Sequence, residues 1–383
     1  MTVKTADVII VGGGVHGLAA AYELAKAGVD VALFEKGYLG SGQSSRCAAG
    51  LRQHFGTETN LRLAKYNLTV LPTLEQELDT GMKLEFTQWG YMWVGYSEEC
   101  MAQLKKNVDL QVSLDIPSVM FTPDEIHARW PYLKLDGILG AAFCGDDGHI
   151  NPQTTCLAYG HAARRLGAKV MPHKPVAKLL AEHGKIKGVI TEDGEEWHAP
   201  KMLLSSGAWC HPLAKEIGID IPVYPERHNC LITEPVEPFE CPMVLCLDDG
   251  AYFKQCPNGT FLLGRDDQNE PHTFEAGNSA KFLEGVMTSV IKRLPCLEDV
   301  RVVRQWSGSY DNTPDHNAII DWAPGVEGLL INCGWSGHGF QFGPSGGRLA
   351  KELLTGEKPF VDLHRFRLSR FAENDLFFEP AFI

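Results

Sequence analysis

Apolar runs at the start of the chain outline a strand, a helix and a second strand. Ala6-Asp7-Val8-Ile9-Ile10-Val11 is almost continuously apolar over strand length, the pattern of a strand covered on both faces. Leu18 to Ala25 then reads as a helix, and Val31-Ala32-Leu33-Phe34 as another buried strand. Leu61, Leu63, Ala64, Leu68, Leu71, Leu74 and Leu78 recur at helical spacing and predict a helix over 58–80. A strand is expected over 84–96 with a turn at Trp89-Gly90, followed by a helix over 97–110. Pro123-Asp124-Glu125 suits another helix start. Thr154, Leu157, Ala158, Ala162 and Leu166 predict a helix over 150–168 that stops at Gly167.

Beyond that helix the period shortens. Strands are expected at 169–171 and 201–204, with hairpins around Gly184 and Asp193-Gly194. Further strands are expected at 224–233, 243–247, 251–255, 260–265 and 301–310, interrupted by one helix over 279–293. The strand Leu329–Cys333, the glycine loop 334–340 and a helix through Gly346, Leu349, Ala350 and Leu353 close the pattern. The expected fold class is α/β. A nucleotide-binding unit (1–83, 145–221 and 311–383) alternates with a mostly antiparallel α+β unit (84–144 and 222–310). Such interleaving puts a ligand site between the two.

The six residues after the first strand are Gly12-Gly13-Gly14-Val15-His16-Gly17, a G-x-G-x-x-G turn between strand and helix. Gly12 permits the tight turn, Gly14 lets a pyrophosphate approach the backbone, and Gly17 lets helix and strand pack closely. The helix N-terminus offers N–H groups and a partial positive charge to phosphate. Glu35 ends the second strand, where a carboxylate accepts hydrogen bonds from an unphosphorylated ribose. The unit predicts a dinucleotide site without separating NAD from FAD. Ser205-Ser206-Gly207-Ala208-Trp209 is a second place suited to close ligand approach.

Composition narrows the functions. The chain has 383 residues, 44% hydrophobic and 22% charged, as in an ordinary globular enzyme. Its net charge of −13, with no basic block, argues against nucleic-acid binding. No apolar run approaches the roughly 18 residues of a membrane span. No signal peptide is expected ahead of the first strand. Eleven scattered cysteines form no C-x-x-C pair, which argues against a metal site, an iron–sulfur site or a disulfide framework and suggests a reducing cytoplasm.

Taken together, the Gly12–Ala19 turn, Glu35-Lys36-Gly37, Gly40-Ser41-Gly42-Gln43-Ser44-Ser45-Arg46-Cys47-Ala48-Ala49-Gly50-Leu51-Arg52-Gln53, Asn312-Thr313-Pro314-Asp315 and Gly334-Trp335-Ser336-Gly337-His338-Gly339-Phe340 resemble the D-amino-acid oxidase superfamily of FAD-dependent oxidoreductases. The likeness spans essentially the whole chain. It is greatest to the β subunits of heterotetrameric sarcosine oxidase and multisubunit L-proline dehydrogenase. It implies a glutathione-reductase-type FAD domain and FAD as cofactor. Gly12, Gly14, His16, Gly17, Glu35 and Lys36 would hold the nucleotide. Ser41, Ser44, Ser45, Arg46 and Cys47 would line the pyrophosphate and ribityl chain. Val176, Ser206 and Gly207 would close over the adenine side. Gly337, His338, Gly339, Phe340 and Gln341 would run along the flavin.

The reaction implied is oxidation of a C–N bond of a small secondary or N-methyl amino acid of the sarcosine, proline or hydroxyproline type. A hydride equivalent would pass to flavin N5 and leave an imine. Arg52 would pair with the substrate carboxylate, a task suited to a guanidinium fork. Tyr252 and Tyr310 would wall the cavity, with His338 and Gln341 beside them. No general base is nominated. Relatives carry an oxygen-promoting lysine where this chain has Leu262, and a carboxylate-binding lysine where it has Gln341. The usual covalent attachment positions fall at Gly308 and Cys47. Slow reaction with oxygen, favouring a dehydrogenase, and non-covalent FAD are therefore expected. The resemblance also implies an α-type partner subunit, with FMN at the interface. That FMN would not be covalently tied, because Asn151–Thr155 contains no histidine, although His149 is close by. Three alternatives stay open: a 2-hydroxy-acid or glycerol-phosphate-type dehydrogenase on the same fold, a flavin-binding electron-transfer subunit without turnover, and a self-sufficient single-subunit enzyme.

Overall fold

The computed structural model describes residues 3–267 and 269–380. Its first sheet has six strands in the order Ile319–Trp322, Leu329–Cys333, Lys201–Leu204, Val8–Val11, Val31–Phe34 and Lys169–Met171. All neighbours run parallel except the first pair. Val8 to Val11 and Val31 to Phe34 are buried along their whole length, which explains their continuous apolar sequence. The helix Val15–Lys26 connects these two strands and packs against the helices Pro152–Arg165 and Gly343–Thr355. An apolar core lies on each face of the sheet. One is built around Leu18, Leu24 and Tyr159, the other around Ile9, Met202 and Ile331.

The second sheet has eight strands, in the order Val302–Asn312, Tyr224–Thr233, Phe261–Arg265, Ala251–Gln255, Met243–Cys246, Tyr91–Gly95, Gly140–Cys144 and Ser118–Phe121. Every pairing in it is antiparallel except Met243–Cys246 with Tyr91–Gly95. The helix Ala280–Arg293 covers one face through Phe282, Val286 and Val290. The other face looks toward the carboxyl ends of the six-stranded sheet. Cross-strand register puts Trp93, Leu245, Tyr252, Gly264, Cys230 and His228 on that face, because directly paired residues share a side. A smaller sheet joins Lys4–Thr5 to strands between Val176 and His198.

Two expectations about elements need correction. The helix predicted over 58–80 is broken into Glu58–Val70, a tight turn over Leu71–Thr73, and Leu74–Leu78. Pro72 sits in the break, where it cannot donate a helical hydrogen bond. The strand predicted over 84–96 begins only at Tyr91, with Thr87 making an isolated bridge to His149. No helix among the described residues is long and apolar enough to cross a membrane.

Candidate active site

A cavity of about 580 Å³ runs between the two sheets. Glu35 and Val176 bound one end, and Tyr252 and Tyr310 the other. It lies beyond the carboxyl ends of the parallel strands, where open α/β sheets place ligands. Gly12 turns the chain there with φ of +112°, and a Cβ on it would stand 2.5 Å from the Ser205 carbonyl oxygen. The helix Val15–Lys26 starts on the cavity wall with no side-chain cap from Gly14 and no acidic residue in its first turn. Ser44 Oγ accepts from the Val15 N–H at 3.0 Å. Glu35 is anchored rather than loose. One oxygen accepts from Gly13 N–H at 2.8 Å, the other from Gly37 N–H at 2.7 Å.

Most of the residues expected around the cofactor line this cavity, including Gly14, His16, Lys36, Ser44, Arg46, Cys47, Ser206, Gly207 and the loop Gly337–Gln341. Three do not. Gly17 faces the strand, and a Cβ there would fall 2.0 Å from the Gly12 carbonyl oxygen, so it serves close packing alone. Ser41 Oγ donates to Glu35 Oε1 at 3.3 Å and so supports the acid from behind. Ser45 is turned inward, toward Gly40 and Cys156. Lys36 stands 3.3 Å over the Trp209 ring, and burial lowers its pKa. Cys47 donates to the Ser44 carbonyl at 3.1 Å, and burial pushes its thiol up to about 12, so it stays protonated.

The other end is aromatic and cationic. The Arg52 guanidinium lies 5.3 Å from the Phe55 ring, 5.5 Å from Trp93 and 5.9 Å from Tyr91. Gln341 accepts from the Arg52 backbone N–H at 2.8 Å, so it positions the arginine from the main chain. His338 Nδ1 bonds the Trp335 carbonyl at 2.6 Å, and burial together with the nearby Arg52 charge lowers its pKa to about 3. His16 stacks on Trp335 at 4.5 Å and is likewise held neutral by burial, near 3. Burial also keeps the Tyr252 and Tyr310 phenols protonated. Gly337, at φ +90°, lets the Tyr310 ring approach, since a Cβ there would meet it at 2.4 Å.

Several wall residues escaped sequence reasoning. Tyr91, Trp93, His228 and Asp266 line the cavity. His228 stacks on Tyr310 with ring centres 3.6 Å apart. The alternation Glu226, His228, Cys230 along one strand is the signal that could have exposed it. Lys254 pairs across from Leu262 on the neighbouring strand. It is 3% exposed, with Cys47, Cys230 and His149 in its electrostatic surroundings. It lies off the cavity wall.

The cavity fits an elongated, polar-ended dinucleotide. Gln43 Nε2 and Asn332 Nδ2 are buried on its wall with no protein acceptor among the described residues, so they are available to ligand oxygens. The family model described as FAD dependent oxidoreductase (DAO) matches residues 7–353. Glycine oxidase of Bacillus subtilis (strain 168) is 29% identical over 372 residues, 95% of this chain and 97% of that protein. Sarcosine oxidase subunit beta of Rhodobacter capsulatus is 26% identical over 383 residues, covering 97% and 91% respectively. The crystal structure of L-proline dehydrogenase from P. horikoshii superposes with a TM-score of 0.92 at 29% identity, covering 98% of this chain and all of that one. With its strand–turn–helix cradle at one end of the cavity and its arginine-bearing aromatic wall at the other, this chain belongs to the DAO family of FAD-dependent oxidoreductases, among the amino-acid oxidases and dehydrogenases.

Proposed function

We propose that this enzyme oxidises the C–N bond of a small secondary or N-methyl amino acid, of the sarcosine, proline or hydroxyproline type, as a dehydrogenase. The observation that carries the reading is Arg52, a guanidinium on the cavity wall ringed by Phe55, Tyr91 and Trp93. These rings shield part of the half-buried guanidinium from solvent, and a carboxylate meeting it gains a charge-assisted, two-pronged contact. When bound, FAD supplies the hydride acceptor. The chain's own residues orient the substrate. Arg52 fixes the carboxylate, Gln341 holds the Arg52 backbone, and the protonated Tyr252 and Tyr310 wall the α-carbon. Neutral His338 adds no second positive charge beside Arg52, and an amine that binds unprotonated needs no protein base. The imine product then hydrolyses or, from a ring amine, stays cyclic.

FAD is held without a covalent bond. Gly308 offers no nucleophile, and the Cys47 thiol is protonated. Acid precipitation should leave all the flavin in the supernatant; yellow colour in the washed pellet would refute this. The name of the sarcosine oxidase subunit beta relative favours an assembly with an α-type partner, and any FMN at that interface would be non-covalent. Anaerobic mixing with a panel of amines and hydroxy acids tests the reaction. Bleaching by secondary amino acids supports it, and bleaching by hydroxy acids alone favours the alternative dehydrogenase.

A further inference from the structure

Asp266 brings a negative charge to the cavity beside the two tyrosines, and the reading above gives it no role. It follows the strand Phe261–Arg265 and stands against Gly250, where a Cβ would fall 2.9 Å from its own. Glycine at 250 thus makes room for the carboxylate at the wall. Among the described residues, no hydrogen bond is made to the Asp266 carboxylate. The nearest cationic atom is His228 Nδ1 at 3.6 Å.

His228 does not neutralise this corner. Its Nε2 bonds Glu226 Oε1 at 3.0 Å while its ring lies flat on Tyr310. Even as an imidazolium it balances one of two carboxylates, so Glu226, His228 and Asp266 together keep a net negative charge. His272 meets Glu226 from the exposed outer side, at 3.3 Å. The Tyr310 hydroxyl feels Asp266 and Arg52 with opposite sign, which places an anion and a cation around the same phenol. A carboxylate that is three-quarters buried (27% exposed) and has no hydrogen-bond donor among the described residues gains most from a ligand that brings a positive charge.

We propose that Asp266 recognises a cationic group at the far end of the substrate, so that the enzyme prefers amino acids bearing a second, positively charged nitrogen. The proposal rests on the amine reading for the position of the substrate carboxylate at Arg52. It extends that reading by giving the cavity two poles. A zwitterion with separated charges spans them, whereas an alkyl chain of equal length buries its methyl end against a carboxylate.

Unreactive ligands isolate the binding step from turnover. Holoenzyme is titrated with three isosteric pairs: γ-aminobutyrate and pentanoate, δ-aminovalerate and hexanoate, ε-aminocaproate and heptanoate. Binding is read from the flavin absorbance. In at least one pair the amino ligand binds about tenfold tighter or better, as expected for a partly desolvated charge pair. Asp266→Asn removes that preference and leaves alkanoate binding and flavin content unchanged, while Asp266→Glu keeps it. Equal affinities in all three pairs, no binding by either series, or a preference that survives Asp266→Asn would overturn the proposal. Anaerobic bleaching by N-methylornithine and N-methylnorleucine is measured separately. If neither these nor sarcosine, proline and hydroxyproline reduce the flavin, the amine reading fails, and the titration still decides the role of Asp266.

Discussion

At the scale of single residues, the account turns on which charges the cavity keeps. Arg52→Lys retains the charge and loses the planar fork. It should weaken substrate binding by about 2–5 kcal/mol, roughly 30-fold or more, with FAD content unchanged. Steady-state kinetics with the best amine checks this, and an unaltered KM would remove Arg52 from the carboxylate site. Asp311 is a different kind of charge. Burial raises its pKa from 3.8 to about 6, against the opposing hydrogen bond from Gly334 N–H at 2.8 Å. The unfolded chain ionises it near 3.8 while the folded chain keeps the proton to about 6. Stability is therefore lost as pH rises through this window, and the loss is complete above it, up to about 3 kcal/mol. Asp311→Asn keeps an oxygen for Gly334 and should flatten the pH dependence there. Denaturant unfolding at several pH values reads the difference; identical curves would contradict the assignment. Arg52 was legible because it lies within a recognisable segment. Asp266 was not, because a residue just past a strand gives no sign of which side it faces.

At the scale of elements, glycines set the distance between the two helices behind the cofactor cavity. A Cβ at Gly347 would fall 2.6 Å from Ala19 Cβ, and one at Gly343 would fall 2.4 Å from Val15 Cγ2. Gly347→Ala should push the helices Val15–Lys26 and Gly343–Thr355 apart and cost about 1–3 kcal/mol. Gly145→Ala, where the nearest side-chain atom is 3.6 Å away, should be nearly neutral. Thermal unfolding of the two variants makes the comparison. The strands Tyr224–Thr233, Ala251–Gln255 and Leu329–Cys333 were readable from sequence with their ends. Gly140–Cys144 and Ser118–Phe121 were not, since Gly140-Ala-Ala-Phe-Cys is buried throughout and has no alternation to betray a strand. The break at Pro72 was hidden by leucines that keep helical spacing on both sides of it.

At the scale of the whole molecule, the question is where the electrons go. Leu262 puts no lysine at its place on the eight-stranded sheet, and Lys254, paired with it, is 3% exposed with its pKa lowered by burial. Without a lysine at position 262, developing negative charge on oxygen loses one source of stabilisation. Reduced enzyme should therefore reoxidise slowly in air-saturated buffer and quickly with an artificial dye. Stopped-flow mixing decides this, and rapid peroxide release would make the enzyme an oxidase. Anaerobic titration of the purified holoenzyme with proline, sarcosine and hydroxyproline, against 2-hydroxy acids of matched size, tests the central claim most directly. The account predicts that at least one of the amino acids bleaches the flavin completely, that the hydroxy acids leave it oxidised, and that Arg52→Lys shifts the amine response to much higher concentration. Bleaching by hydroxy acids alone, or no bleaching by any of the amines, would contradict it.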